Sequence, residues 1–353
     1  MTRAFEAYGV PKKDAALCTE VLIEADRRGV SSHGVNRFKP VYVDRIKEGI
    51  LHPVTRPETL RETKTTAVID GHDGMGMVIA AHAMETAVKK AKEYGMGMAV
   101  VRNSSHYGIA GYYAMMASKR GCIGITGTNA RPSIAPTFGA QNMLGTNPLC
   151  FAMPTDEPFD FVLDCATSVT QRGKIEYLAK TGQPVPDGQV ISRDGKPLTD
   201  AAKILDELST GAAALAPLGG AGEDTAGYKG YGYATVVEIL SSALQQGKYM
   251  TMLTGFDAAG QKVPFSIGHF FIAVDTGAFM GEDSFRRTTG DILRALRNST
   301  KSPRAERIYT AGEKEYYAAL ERQKTGIALT PTTRQEFLTL RDELKLDIRF
   351  PFE

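Results

Sequence analysis

Apolar side chains recur at helical spacing over residues 11–28, where Ala15, Ala16, Val21, Leu22 and Ala25 share one side and charged residues fill the rest. This pattern predicts an amphipathic helix, with Pro11 suited to its first turn and Gly29 to the position just past its end. A polar stretch, Ser31 to Gly34, interrupts the pattern. Beyond it, Phe38, Val41, Tyr42 and Ile46 turn inward on a second predicted helix, capped by Asn36 and running to Lys47 with Gly49 as terminator. Pro40 falls in its first turn, where a missing N–H is tolerated.

Apolar runs at 65–70 and 98–102 flank an amphipathic stretch at 77–94, which predicts strand, helix and strand. The rhythm repeats through a helix at 109–119 and a strand at 122–126. From 128 to 154 the chain is dense in Asn, Gly, Pro and Thr and reads as functional loop. A strand at 161–165 leads through Ala166-Thr167-Ser168 into a helix bearing Arg172 and Lys174. The Gly-, Pro- and Asp-rich region 181–232 reads as irregular surface chain. Helices are expected at 233–246, 285–298 and 313–323, a strand at 267–274, and a last helix starting at Thr330-Pro331. No repeat of fixed period and no clean linker marks a sharp domain boundary.

A chain of 353 residues with 42% hydrophobic content is long and apolar enough for a well-buried core. Its 42 basic and 40 acidic side chains leave a formal charge of +2, so no strong field selects a nucleic acid or an anionic membrane as partner. Cys18, Cys122, Cys150 and Cys165 are far apart and form no C-x-x-C pair, and they read as buried free thiols. Charge arrives at Arg3, too early for a signal peptide, and no apolar run approaches the roughly 18 residues of a bilayer span. A soluble, cytoplasmic protein is the expectation.

Histidine is scarce, with six in the chain, yet two lie in polar loops ahead of predicted helices: Ser31-Ser32-His33-Gly34-Val35-Asn36-Arg37 and Asn103-Ser104-Ser105-His106-Tyr107-Gly108. An imidazole titrating at about pH 6.5 both takes and gives protons at neutrality, as reversible oxidation of an alcohol requires. His33 would approach the N-terminus of the second predicted helix and Arg37 would sit in its first turn. Free N–H groups, the macrodipole and a guanidinium fork all favour a substrate carboxylate there. The competing roles are local: a cap or turn hydrogen bond for each histidine, and a surface ion pair with Asp44 or Glu48 for Arg37. His52, His72, His82 and His269 lack such settings and read as structural.

A serine hydrolase would need G-x-S-x-G, and a zinc enzyme H-E-x-x-H or C-x-x-C; none occurs, so no metal is implied. Gly71-x-x-Gly74-x-Gly76 and Gly227-x-x-Gly230-x-Gly232 have the wrong order for the dinucleotide fingerprint G-x-G-x-x-G. The residues by themselves describe an α/β enzyme that uses histidine on an open choice of ligand. A nucleotide-binding sensor and a lyase using the same histidines are the alternatives.

Ser32-His33-Gly34 with Arg37, the Asn103–Gly108 loop, Leu144-Gly145-Thr146-Asn147-Pro148, Asp164-Cys165-Ala166-Thr167-Ser168 with Arg172-Gly173-Lys174, and Gly227-Tyr228-Lys229-Gly230 stand in register over nearly the full chain. Together they resemble the motifs of the malate/L-lactate dehydrogenase family. That resemblance implies a non-Rossmann α/β fold: a mixed, largely antiparallel sheet flanked by helices, with a smaller helical region built from the chain ends. Residues 1–60 and 300–353 would form the helical, dimerising part, and 61–299 the NAD(P)-binding and catalytic part. It also implies a homodimer that interconverts a small 2-hydroxy acid and its 2-oxo acid with NAD or NADP. Malate leads, with lactate, sulfolactate, ureidoglycolate, diketogulonate and cyclic imino acids behind.

By the same resemblance, His33 and His106 are the acid/base pair, and Ser32 and Arg37 hold the substrate. Ala130 and Arg131 border nicotinamide or substrate, Asp164, Cys165 and Ala166 line the cofactor site, and Lys229 contacts cofactor phosphates. The family's Pro-Gly-Glu near the C-terminus is here Ala311-Gly312-Glu313, so the proline's stiffening is lost while Gly312 and Glu313 match as cofactor contacts. Asp164 stays open to two roles, orienting an imidazole or capping the helix that follows.

Overall fold

A computed structural model describes residues 1–353. Helices α1 (Thr2–Ala7) and α2 (Lys12–Arg27) each bury one side, contributing Phe5 from the first and Ala15, Cys18, Val21 and Leu22 from the second. The second predicted helix is helical but not regular. Tight 3-10 turns at Ser31–His33 and Val35–Arg37 run into a wide π turn, Phe38–Val43, and only then into α3 (Asp44–Lys47). Asn36 lies inside the second tight turn and caps nothing. Pro40 lies inside the π turn, where its missing N–H breaks the α ladder.

Strand β1 (Glu58–Glu62) is exposed at every position, which is why no apolar pattern announces it; it pairs antiparallel with β2 (Thr66–Asp70). The predicted rhythm follows as β2, α4 (Gly76–Tyr94) and β3 (Met96–Ser104), with the two strands parallel, then α5 (Ala110–Ser118) and β4 (Cys122–Thr128). The stretch read as continuous loop contains β5 (Leu149–Met153), which pairs antiparallel with β4 and with β6 (Phe161–Cys165).

Beyond α6 (Arg172–Lys180), the region expected to be irregular is a folded unit. It holds β7 (Val190–Ser192), α7 (Ala201–Thr210) and β8 (Ala213–Leu215), and α8 (Gly227–Leu240) begins and ends earlier than expected. Its apolar residues are thinly spread among turn formers, but Val185, Val190, Ile204 and Leu215 bury together with Ile134 and Ile175 in a core of their own. Long-range packing overrides local composition there.

Strand β9 (Ile267–Asp275) inserts between β3 and β4, antiparallel to both, and completes a sheet ordered β1-β2-β3-β9-β4-β5-β6. Alternation along the strands sends Ala99, Val101 and Phe271 to the core under α4 and α5, and Val100 and Phe270 to Val237 of α8 on the opposite face. Helices α9 (Glu282–Asn298), α10 (Glu313–Thr325) and α11 (Pro331–Glu343) close the chain, the last begun by Thr330, whose Oγ1 accepts Thr333 N–H at 3.2 Å. Leu340 of α11 joins Phe5, Leu22, Phe38 and Tyr42 in one core, so the smaller helical region is made from both chain ends.

Candidate active site

Two loops that are distant in sequence meet here, and buried polar contacts rather than regular structure hold each one. Asp26, buried near the end of α2, accepts Val35 N–H at 2.6 Å, and any side chain at Gly34 would collide with its carboxylate. Arg322 of α10 donates to the Asp26 carbonyl. In the second loop, Asn103 Nδ2 donates to both oxygens of Asp70 at 3.0 and 2.9 Å. Ser105 Oγ donates to the Gly74 carbonyl and accepts Gly76 N–H, each at 2.8 Å. His269 of β9 is buried and bridges Thr128 Oγ1 and Ser104 Oγ, each at 2.8 Å, beneath the Tyr107 ring. Burial lowers it to about 3, so it serves as a neutral structural bridge.

The result is that the His33 and His106 rings stack, their centroids 5.6 Å apart and their planes 15° from parallel. Nδ1 of His33 lies 2.9 Å from Ser32 Oγ. Nδ1 of His106 accepts Gly108 N–H at 3.3 Å and lies 2.6 Å from the hydroxyl of Tyr42. Burial, then the charge of Arg37, lowers His33 to about 4; burial, then His33, Arg45 and Arg37, holds His106 well below the ordinary value. Both rings are therefore neutral at physiological pH. Arg37 Nε donates to the Ser32 carbonyl at 2.6 Å. The surface pair weighed for Arg37 does not form, because Asp44 is taken by Lys39 at 2.9 Å and Glu48 by Lys262 at 2.5 Å.

A cleft of about 840 Å3 opens beside His33, walled by Ser32, the first turn of α5 and the end of β6 with the turn that follows it. Asp164 lies on this wall and accepts Gly111 N–H at 2.6 Å. It thus serves the first turn of α5, and touches neither the following helix nor an imidazole. Its side chain opens onto the cleft, and the protein packed around it raises its carboxyl to about 6, against the Gly111 bond and the charge of Arg28. Ser168 Oγ and Thr170 Oγ1, on the same wall, are buried hydroxyls with no partner in the protein. Buried hydroxyls rarely go unpaired. With Lys174 close by on the wall, they suit a ligand rich in phosphate and ribose oxygens.

The sequence model of the malate/L-lactate dehydrogenase family matches residues 1–338. The chain belongs to this family. It is 42% identical to malate dehydrogenase of Pyrococcus horikoshii over 332 residues, 93% of this chain and 88% of that one. It is 36% identical to L-sulfolactate dehydrogenase of Methanocaldococcus jannaschii, across 97% of this chain and 93% of that one. The crystal structure of malate dehydrogenase from Entamoeba histolytica superposes with a TM-score of 0.95 at 42% identity, covering 99% of this chain and 96% of that one. The protein is a dehydrogenase acting on CH–OH, on a fold without the dinucleotide fingerprint.

Not every position matched to the family's motifs reaches the cleft. Cys165 and Ala166 line it beside Asp164. Arg131 and Lys229 are exposed away from its walls, Lys229 in the first turn of α8 with its Nζ 5.8 Å from the Tyr228 ring. Ala130 packs its carbonyl against Gly145. Gly312 lies against the backbone of Asp160 and Val162, and the buried carboxylate of Glu313 is taken by Thr310 N–H at 3.0 Å and by Arg307. The residue of that segment on the cleft wall is Glu315. Two features escaped the sequence reading: Ser168 and Thr170 as unpaired hydroxyls, and the Tyr42 hydroxyl, hidden because an aromatic at an inward helical position reads as core.

Proposed function

We propose that this dehydrogenase interconverts a small 2-hydroxy acid and its 2-oxo acid with NAD or NADP, malate and oxaloacetate being the leading pair. The observation that carries the proposal is the stacking of His33, on the wall of a cleft that also holds two unpaired hydroxyls, against His106, with Arg37 in the same loop as His33; His106 and Arg37 are not themselves on the cleft wall. Arg37, with Ser32, clamps the carboxylate through a two-pronged donor, which fixes the hydroxyl-bearing carbon against the two rings. A ring that is neutral at physiological pH is free to take the hydroxyl proton, as loss of hydride from the same carbon demands. Bound nicotinamide supplies the acceptor for that hydride.

Asp164, Cys165 and Ala166, with Ser168 and Thr170, would hold the cofactor. The family resemblance gives Lys229 to its phosphates and Ala130 and Arg131 to the reacting end, although Arg131 and Lys229 stand off the walls of this cleft; Gly312 and Glu313 would act by shaping the chain behind Val162. Malate and sulfolactate each carry a second anionic group, and Arg28 on the cleft wall offers a cation to meet it. Lactate, ureidoglycolate, diketogulonate and cyclic imino acids lack that second anion and rank lower.

A homodimer in the cytoplasm completes the reading. Tyr233, Val236 and Ile239 leave an exposed apolar stripe along α8, which a second copy would cover. Four unpaired thiols suit a reducing compartment. The test is a panel of 2-oxo acids with NADH and NADPH, followed by the loss of reduced-nicotinamide absorbance. Oxaloacetate and sulfopyruvate should outpace pyruvate; no turnover of any 2-oxo acid with either coenzyme contradicts the proposal.

A further inference from the structure

Tyr42 sits in the π turn with its ring fully buried, edge-on to Phe5 at 6.2 Å, as a core residue should be. Its hydroxyl has a different task. It lies 2.6 Å from His106 Nδ1, and Gly108 N–H reaches the same nitrogen at 3.3 Å. A backbone amide can only donate, so Nδ1 must present its lone pair, and the phenol must donate to it as well. The single proton of the neutral ring then sits on Nε2, since both hydrogen bonds of the ring within the protein are made at Nδ1. His33 is held differently. Its Nδ1 faces only the Ser32 hydroxyl, which can turn from donor to acceptor, so His33 is free to exist in either tautomer.

We infer that Tyr42 is a positioning residue that, together with the Gly108 amide, holds His106 in the Nε2–H tautomer, so that this ring meets the substrate oxygen as a hydrogen-bond donor and leaves proton exchange to His33. The catalytic half of this inference rests on the dehydrogenase reading; the tautomer half rests on the geometry of the protein alone. In the oxidative direction the substrate O–H bond breaks and its proton passes to Nε2 of His33, whose Nδ1 proton is held by the Ser32 oxygen. The C–H electron pair would leave as hydride as C–O becomes C=O, and a bound nicotinamide would supply the acceptor. Nε2–H of His106 stays on that oxygen throughout and stabilises its negative charge as it develops.

The titratable and charged groups that face His106 are Tyr42 of the π turn, Arg45 of α3, His33 and Arg37 of the first loop, and His269 of β9. Among them Tyr42 is the one hydrogen-bonded to the ring. Tyr42→Phe keeps the aromatic packing and removes the hydroxyl. Nitrogen-15 NMR of histidine-labelled full-length protein should show His106 of the wild type with Nδ1 bare and Nε2 protonated. In Tyr42→Phe the lone pair loses a donor and protonation becomes easier. His106 should then titrate about one pH unit higher, the acid limb of the rate profile should move up with it, and kcat should fall about 10-fold or more at nearly constant KM.

A wild-type spectrum with the proton on Nδ1 overturns the inference, and so does a folded Tyr42→Phe protein with unchanged spectrum and acid limb. If Tyr42→Phe fails to fold, the wild-type spectrum decides. Absence of turnover with every 2-oxo acid would remove the dehydrogenase reading and leave the spectroscopic outcome standing.

Discussion

The loops around His33 and His106 are built from nearly the same residue types and end in rings 5.6 Å apart, yet they prepare those rings for different work. In the first, Nδ1 meets a hydroxyl that can reverse its role; in the second, it meets an amide that cannot and a phenol buried with no alternative partner. The supports differ too. The His33 loop hangs from α2 and α10 through Asp26 and Arg322, whereas the His106 loop is pinned to the end of β2 through Asp70, to the turn ahead of α4 through Ser105, and to β9 through His269. The lesson is that the partner of the buried nitrogen decides what the exposed nitrogen does.

The largest effects should come from breaking the two rings themselves. His33→Ala and His106→Ala should each lower kcat on the order of 10²-fold or more, and unchanged turnover in both removes them from the chemistry. Glutamine sharpens the contrast, because its amide donates a hydrogen bond but does not exchange a proton. His106→Gln should retain more activity than His33→Gln; the reverse order would exchange their roles.

Next come the supports. Gly34→Ala drives a methyl into the Asp26 carboxylate, and Gly76→Ala drives one into the Ser105 carbonyl. Each should cost about 1–3 kcal/mol, read as a drop in Tm, with the first lowering affinity for the acid substrate as the Arg37 loop shifts. An unaltered Tm in both would mean that neither loop depends on close approach. Arg37→Lys should be milder, raising KM about 10-fold with a smaller change in kcat, since a point charge replaces a two-pronged donor. A normal KM takes Arg37 out of the clamp.

The smallest effects are in the pH dependence of stability, where the cleft has opposing slopes. His33 titrates at about 4 when folded and at 6.5 otherwise, so its stabilising contribution is present above pH 6.5 and is lost as pH falls toward 4. Asp164 is raised from 3.8 to about 6, so its contribution is present below 3.8 and is lost as pH rises toward 6. His33→Gln should flatten the first slope and Asp164→Asn the second, as measured by denaturant unfolding across pH 4 to 7. A slope of the same sign in both wild-type comparisons would contradict the assigned shifts.

Much of this was legible in the chain. The periodicity of α2 and α4, the strand at Phe161–Cys165 and the Thr330-Pro331 helix start appear where apolar spacing and caps put them. What escaped has physical reasons. Strand β1 has no buried face to leave a pattern. The β7–β8 unit coheres through a core shared with residues distant in sequence, among them Ile134, Leu144 and Ala234, although Asp200 caps α7 and Gly211 ends it at a positive φ of 76°. The two histidine loops stood out because rare polar residues sat among turn formers. The unequal tautomers did not, because they depend on a phenol that spacing assigns to the core and on an amide that has no letter in the sequence.

The most direct test is the crystal structure of the protein with reduced cofactor and oxamate, a non-reacting analogue of a 2-oxo acid. Nε2 of His33 and Nε2 of His106 should both lie within hydrogen-bond reach of one oxamate oxygen, with Arg37 paired to its carboxylate. Rings that contact different molecules, or an Arg37 turned away from the acid, would contradict this arrangement.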